Sequence, residues 1–235
     1  MCDNFLQIVT DKIFKVHQGF DLANFDDKTM QSEIPSFRVK EEERFAVFKQ
    51  SVADHFQVPV NRFRLWILVK RLNRTVRPDQ PIPETEANSS MIAINDKMGN
   101  QSTLQLYLEE ADKPIIGRLW SYQMIFLKYF DPKTQKIEGC GKLYVQPNGN
   151  VCDIIPILNE KKGFPSNTKL ILFEEVKFSR FDAMKTTTTF QIQNGDIICF
   201  QKEISDREVA EYRSQGYVAT ITEFFEQLFK QRRLE

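Results

Sequence analysis

Along the first half of the chain the apolar positions change period in a fixed order. FLQIVT (residues 5–10) alternates and predicts a strand. IPSFRVK (34–40) predicts a second strand, after the turn-rich VHQGFDLANF. Phe45, Phe48, Val52 and Phe56 then recur at helical spacing behind Glu41–Glu43, whose charge suits the positive end of a helix dipole. FRLWILVKR (63–71) predicts the next strand. NRTVRPDQPIPETEANSS is polar and proline-rich and predicts a loop, while MIAIN (91–95) and TLQLYLEEA (103–111) predict two more strands.

The second half repeats this order. MIFLKYFDP (124–132) and CGKLYVQPNG (140–149) predict a hairpin, VCDIIPILNEKKGF (151–164) a helix, KLILFEEVKF (169–178) a strand and GDIICFQKE (195–203) a last strand after a turn. Pro156 is compatible with the helix if Asp153 is the N-cap, because the first turn needs no N–H there. At the other end Gly163 is free to take positive φ, Phe164 folds back on the last turn, and Pro165 forbids further helix.

A looser copy of that exit stands in the first half as Phe56-x-x-Pro59, roughly 108 positions earlier, a spacing of domain size. Each half therefore predicts one helix resting on one mixed sheet, an α+β layout. DKPIIGRLWSY (112–122), punctuated by Pro114 and Gly117, is the expected linker.

Composition narrows the function classes. With 32 basic and 32 acidic residues, the chain has no basic excess of the kind that marks a dedicated nucleic-acid or membrane-surface protein. No apolar run reaches the length of a membrane span, and no signal peptide opens the chain. Cys2, Cys140, Cys152 and Cys199 are scattered, without paired spacing. With only two histidines, His17 and His55, they make no zinc set, so neither metal nor cofactor is expected and the thiols are expected to be reduced. A cysteine nucleophile needs a base within hydrogen-bond reach, and neither histidine is expected near a cysteine, so catalysis within this chain is not expected.

ILNEKKGFPSNTKLILF resembles the helix exit and following strand of ubiquitin. FKVHQGFDL, RLWILVKRLNRTVRPDQPI, MIFLKYFDPKTQKIEGCGKLYV, LILFEEVKF and NGDIICFQK, in this order, resemble the first two ubiquitin-like domains of the herpesvirus-associated ubiquitin-specific protease family. KRLNRTVRP and DIICFQK are closer still to its plant counterparts. The resemblance implies two tandem ubiquitin-like β-grasp domains, residues 3–113 and 119–204, with 205–235 as a connecting helix toward a third. It implies a fragment of a thiol-dependent deubiquitinase whose catalytic domain lies elsewhere, found in nucleus and cytoplasm.

In that family the tandem domains dock substrates and regulators, and an acidic loop before the last strand of the second domain captures lysine-rich segments. Here the loop reads TTTTFQIQNGDIICF: Asp196 matches one acidic position, while Asn194, Gln191 and Phe190 stand where carboxylates stand in the animal pattern. The expected partner-binding set is Asp196, Asn194, Glu174 and Glu175, in a monomer. Expected partners are lysine-rich protein segments and the parent's own catalytic domain. Neither repeat runs into a Gly-Gly tail, so these domains are expected to be presented rather than conjugated. The alternative is a β-grasp adaptor for an acidic partner, such as a small GTPase or an anionic surface, through Lys70, Arg71, Arg74 and Arg77.

Overall fold

The computed structural model describes residues 3–25, 34–99, 101–114, 122–178 and 180–232. Most of the expected linker (residues 115–121) and the last three residues lie outside this set, as does Cys2. The described residues fall into two compact units. The first takes them from Met1–Ile13, Phe25–Arg71 and Val76–Leu119; the second from Phe14–Asn24, Leu72–Thr75 and Trp120–Glu235. Residues 14–24 and 72–75 thus sit in sequence within the span 3–113 but belong to the second unit.

In the first unit the alternating FLQIVT lies in β1 (Asp3–Thr10), followed by the short helix α1 (Asp11–Val16), whose residues from Phe14 onward belong to the second unit. Then come β2 (Ser36–Lys40), α2 (Phe45–Phe56), β3 (Phe63–Lys70) and β4 (Val76–Pro81). A short helix, α3 (Met91–Ile94), leads through a π turn to β5 (Leu104–Glu110). The sheet order is β2-β1-β5-β3-β4, with β1 and β5 parallel and the other neighbours antiparallel. Leu6, Ile8, Leu65, Ile67, Leu106 and Leu108 point from the sheet at Phe45, Phe48 and Val52 of α2. Burying each such side chain fully is worth about 1.5–3 kcal/mol, which is why a helix of three turns stays docked.

Three expectations change here. Glu41–Glu43 precede α2 rather than filling its first turn, because the helix starts at Phe45 with Arg44 as N-cap. The proline-rich stretch contains a real strand, β4, tolerated because it is the sheet edge, where Pro78 and Pro81 owe no ladder N–H. MIAIN is helical: Ser90 caps it by accepting the Ala93 N–H, and Met91 and Ile94, three apart, both face the core.

The second unit repeats the plan. Its elements are β6 (Gln123–Asp131), β7 (Lys136–Val145), α4 (Ile155–Lys162), β8 (Leu170–Lys177), β9 (Arg180–Met184) and β10 (Ile197–Lys202), in the order β7-β6-β10-β8-β9. Adding five to each strand of the first sheet gives the second, with β6 and β10 as the parallel central pair. Both units are β-grasp-like domains, and the fold is α+β. The edge strand β9 had no sequence signal, being short and without a buried face.

The two helix exits are the same device. Gly163 takes φ 65°, and the Phe164 N–H reaches back to the Asn159 carbonyl at 2.8 Å. In the first unit Gln57 takes φ 56°, and the Val58 N–H reaches the Ala53 carbonyl at 3.1 Å. The repeat register is therefore Gln57-Val58-Pro59 on Gly163-Phe164-Pro165, not Phe56 on Phe164. The start of the second helix also differs from expectation. A 3₁₀ turn (Val151–Ile154) precedes α4 and is capped by Asn150; Asp153 is the reciprocal partner, accepting the Asn150 N–H at 3.1 Å.

Residues 206–232 form two helices, α5 (Asp206–Ser214) and α6 (Ile221–Arg232). Each begins on an S/T-x-x-E pair, Ser205 with Glu208 and Thr220 with Glu223. The α6 helix packs on the second sheet, stacking Phe225 on Phe181 at 4.5 Å and setting Phe224 at a tilt to Phe130 at 5.2 Å.

Candidate functional site

The segment before β10 is a tightly bonded turn. Phe190 and Ile192 are buried in the second core. Asn194 Oδ1 accepts the Met124 N–H at 2.8 Å, and the Gly195 N–H donates to the Met124 carbonyl at 2.7 Å. Asp196 Oδ2 accepts the Gln193 N–H at 2.7 Å, and Asp196 is only 8% exposed. Gly195 holds φ 82°, the left-handed conformation this turn requires. Asn194 therefore acts first as an acceptor that fixes the loop onto the start of β6, and Asp196 as one that closes its own turn.

Glu174 lies opposite Ile198 of β10 on one side and Asp182 of β9 on the other. The register thus brings Glu174, Asp182, Asn194 and Asp196 to one end of the sheet. Glu174 and Asp182 are half-buried, and Asp182 forms a bidentate pair with Arg180 at 2.8 and 2.6 Å. This pair, with Glu174 nearby, raises the Arg180 pKa above its ordinary value. The anionic surface here is thinner than the sequence suggested.

Glu175 is not part of that surface. Alternation turns it to the opposite face of β8 from Glu174, and β8 is an interior strand, not an edge. It is 3% exposed and pairs with Lys128, which is 0% exposed, at 2.6 Å. The same ammonium donates to the Gly19 carbonyl at 2.8 Å, and Glu175 Oε1 accepts the Asp21 N–H at 2.8 Å. Sequence reasoning passed over Lys128. Its signal was available: a single lysine inside the otherwise apolar run MIFLKYF demands a buried counter-charge.

The basic stretch also loses a member. Arg77 is 1% exposed, so it is not a surface cation, while Lys70 and Arg74 are exposed. Among the described residues no cluster of three metal-ligating side chains occurs, and no helix is long and apolar enough to cross a membrane.

A family model described as the ICP0-binding domain of ubiquitin-specific protease 7 matches residues 63–235. The chain belongs to this family. It is similar to ubiquitin carboxyl-terminal hydrolase 5 of Schizosaccharomyces pombe, 35% identical over 207 residues, which cover 83% of this chain and 18% of that protein. Against ubiquitin C-terminal hydrolase 12 of Arabidopsis thaliana the identity is 32% over 217 residues, 87% of this chain and 19% of that protein. Ubiquitin carboxyl-terminal hydrolase 7 of Drosophila melanogaster is 22% identical over 184 residues, 74% of this chain and 16% of that protein. The chain spans about a fifth of the length of the relatives it matches.

In this ICP0-binding-family member the described thiols are poorly placed for nucleophilic chemistry. Burial pushes the Cys140 thiol up to about 11, against the opposing pull of Lys162 and with the support of Glu138. Cys199 is fully buried, and its Sγ lies 3.7 Å from Glu175 Oε2. Cys152 is exposed beside Asp153. The histidines are engaged elsewhere: His17 Nε2 donates to the Phe20 carbonyl at 2.8 Å, and His55 packs edge-on against Phe37 and Phe56.

Proposed function

We propose that this chain is a non-catalytic docking segment of a longer ubiquitin-specific protease. The parent carries out thiol-dependent deubiquitination in nucleus and cytoplasm, and this segment holds its substrates or regulators. The observation that carries the reading is the match of residues 63–235 to a family described as a binding domain. The two β-grasp-like units and the upward-shifted Cys140 thiol support it.

The docking surface is the end of the second sheet where Glu174, Asp182 and the Gln191–Asn194 turn converge. Its ligand is a lysine-rich protein segment. Asp182 is already paired with Arg180, so at about 0–1 kcal/mol per exposed charge pair, charge contributes at most a modest share of the affinity. The remainder comes from hydrogen bonds to the polar turn. The test is fluorescence anisotropy of a labelled lysine-rich peptide with the chain and with its E174Q/D182N variant. Saturable binding that weakens several-fold in the variant supports the reading; equal binding, or none to either protein, refutes it. A companion assay with a ubiquitin–fluorophore conjugate should show no turnover, and turnover abolished by Cys140→Ala or Cys152→Ala would overturn the non-catalytic assignment.

A further inference from the structure

A sheet with one helix layer has a second face, and in the second unit that face is apolar. Alternation along β6 places Met124, Phe126, Lys128 and Phe130 there, opposite Ile125, Leu127 and Tyr129 of the helix-side core, and all four are fully buried. Phe126, Lys128 and Phe130 meet α6 or one contiguous segment, residues 14–24.

That segment is held as a peptide ligand is held. Phe14 sets its ring edge-on to Phe126 at 5.5 Å, and its carbonyl lies so close over Gly139 that a Cβ there would collide with it. The Gln18 side-chain amide bonds twice to Ile137 of the edge strand β7: it accepts the N–H at 2.9 Å and donates to the carbonyl at 2.5 Å, as an added strand would. Lys128 takes the Gly19 carbonyl, and Glu175 takes the Asp21 N–H. Phe20 enters a pocket of Phe178, Phe181 and Phe225, with ring centroids 5.5 to 6.3 Å away. Asp21 turns the chain at φ 61°.

The contacts alternate between aromatic anchors in pockets and directional bonds to backbone. The buried ion pair spends a hydrogen bond from each partner on the segment's main chain. Packing alone would need neither. We infer that the back face of the second β-grasp domain is a peptide-recognition groove whose ligand is the chain's own residues 14–24. It reads an aromatic residue, then a Gln-Gly-aromatic-Asp run, and it accepts the same segment supplied as a separate peptide once the resident copy is weakened.

The experiment uses the whole chain with Gln18→Ala and Phe20→Ala together, and a labelled synthetic peptide of residues 12–25. The unaltered chain should not bind the peptide, since its groove is filled. The double variant should exchange the β6 amides Met124–Asp131 about tenfold faster or more, bind the peptide saturably, and regain protection when it is bound. A scrambled peptide should do neither. Unchanged protection in the variant overturns the inference. So does lost protection with no peptide binding up to about 1 mM, or equal binding of the scrambled peptide. Should the double variant not fold, Gln18→Ala alone removes an exposed side chain and both of its hydrogen bonds to Ile137. Faster exchange at Ile137, reversed by the peptide, then carries the test, and its absence refutes the groove.

Discussion

Replacing Lys128 by methionine should be among the most damaging single substitutions in the second unit. Lys128 is 0% exposed and is the ion-pair partner of the equally buried Glu175. The methionine fills most of the volume but leaves a carboxylate in the interior and the Gly19 carbonyl without its ammonium donor. Removing one partner of a buried pair costs about 3–5 kcal/mol, because the other charge stays desolvated. For a unit of this size that lowers the melting temperature by roughly 10–20 °C. The double replacement K128M/E175L removes both charges together and should cost clearly less than K128M alone, since a buried pair exchanged for apolar residues is close to neutral. The exposed pair of Arg180 and Asp182 is the internal control: D182N should cost under about 1 kcal/mol. Scanning calorimetry of the unaltered chain, K128M, E175L, K128M/E175L and D182N reads all of these. A cost below about 1 kcal/mol for K128M, or a double replacement as costly as the sum of the singles, would refute the reasoning.

Other outcomes follow from single sites. Gln57→Gly should stabilise the first unit by about 0.5–1 kcal/mol in urea unfolding, because Gln57 holds the left-handed conformation that Gly163 takes without a Cβ. Gly139→Ala should destabilise the second unit by about 1–3 kcal/mol, since the added methyl meets the Phe14 carbonyl. Gln201→Leu should loosen α6 and speed its amide exchange, because the buried amide of Gln201 donates to the Ala219 carbonyl at 3.0 Å and accepts the Ile221 N–H at 2.8 Å. Acid should fray the starts of α5 and α6. Hydrogen bonds from Ser205 lower the Glu208 pKa; for Glu223 burial pushes upward, but Arg213 and the Ala219 N–H outweigh it and the net shift is down. Depressed carboxylates stabilise fully above their unfolded value of about 4.3 and lose that contribution as pH falls through the folded values, so amide signals of these helices should broaden below about pH 4.

Much of the architecture was legible because the apolar period changes where the elements change. The alternation of FLQIVT, the helical spacing of Phe45, Phe48 and Val52, and the Gly163-Phe164-Pro165 exit each encode local geometry in local residues. The misses share a different cause. β4 hides behind Pro78 and Pro81, which only an edge position permits, and edge position is a tertiary fact. MIAIN alternates like a strand over too few residues for the period to decide, and its Ser90 cap was the better signal. The expected connecting helix over 205–235 is two helices, each marked by its own pair, Ser205–Glu208 and Thr220–Glu223.

At the candidate site the failure was one of burial. Glu174 and Glu175 are adjacent in sequence, yet strand alternation sends one to each face, and only the partner Lys128, far away in the chain, explains why the second tolerates burial. Asp196 looked like a surface charge but is engaged in its own turn. The role of residues 14–24 was beyond local reading altogether, because a segment that covers a distant sheet carries no periodicity of its own.

The most direct test of the docking account is an amide NMR titration of the chain with a lysine-rich peptide at low and moderate salt. The account predicts shifts centred on Glu174, Asp182 and Gln191–Asn194, reduced but not abolished by salt, with Glu175 and Lys128 unmoved. Shifts confined to other surfaces, or none at either salt concentration, would contradict it.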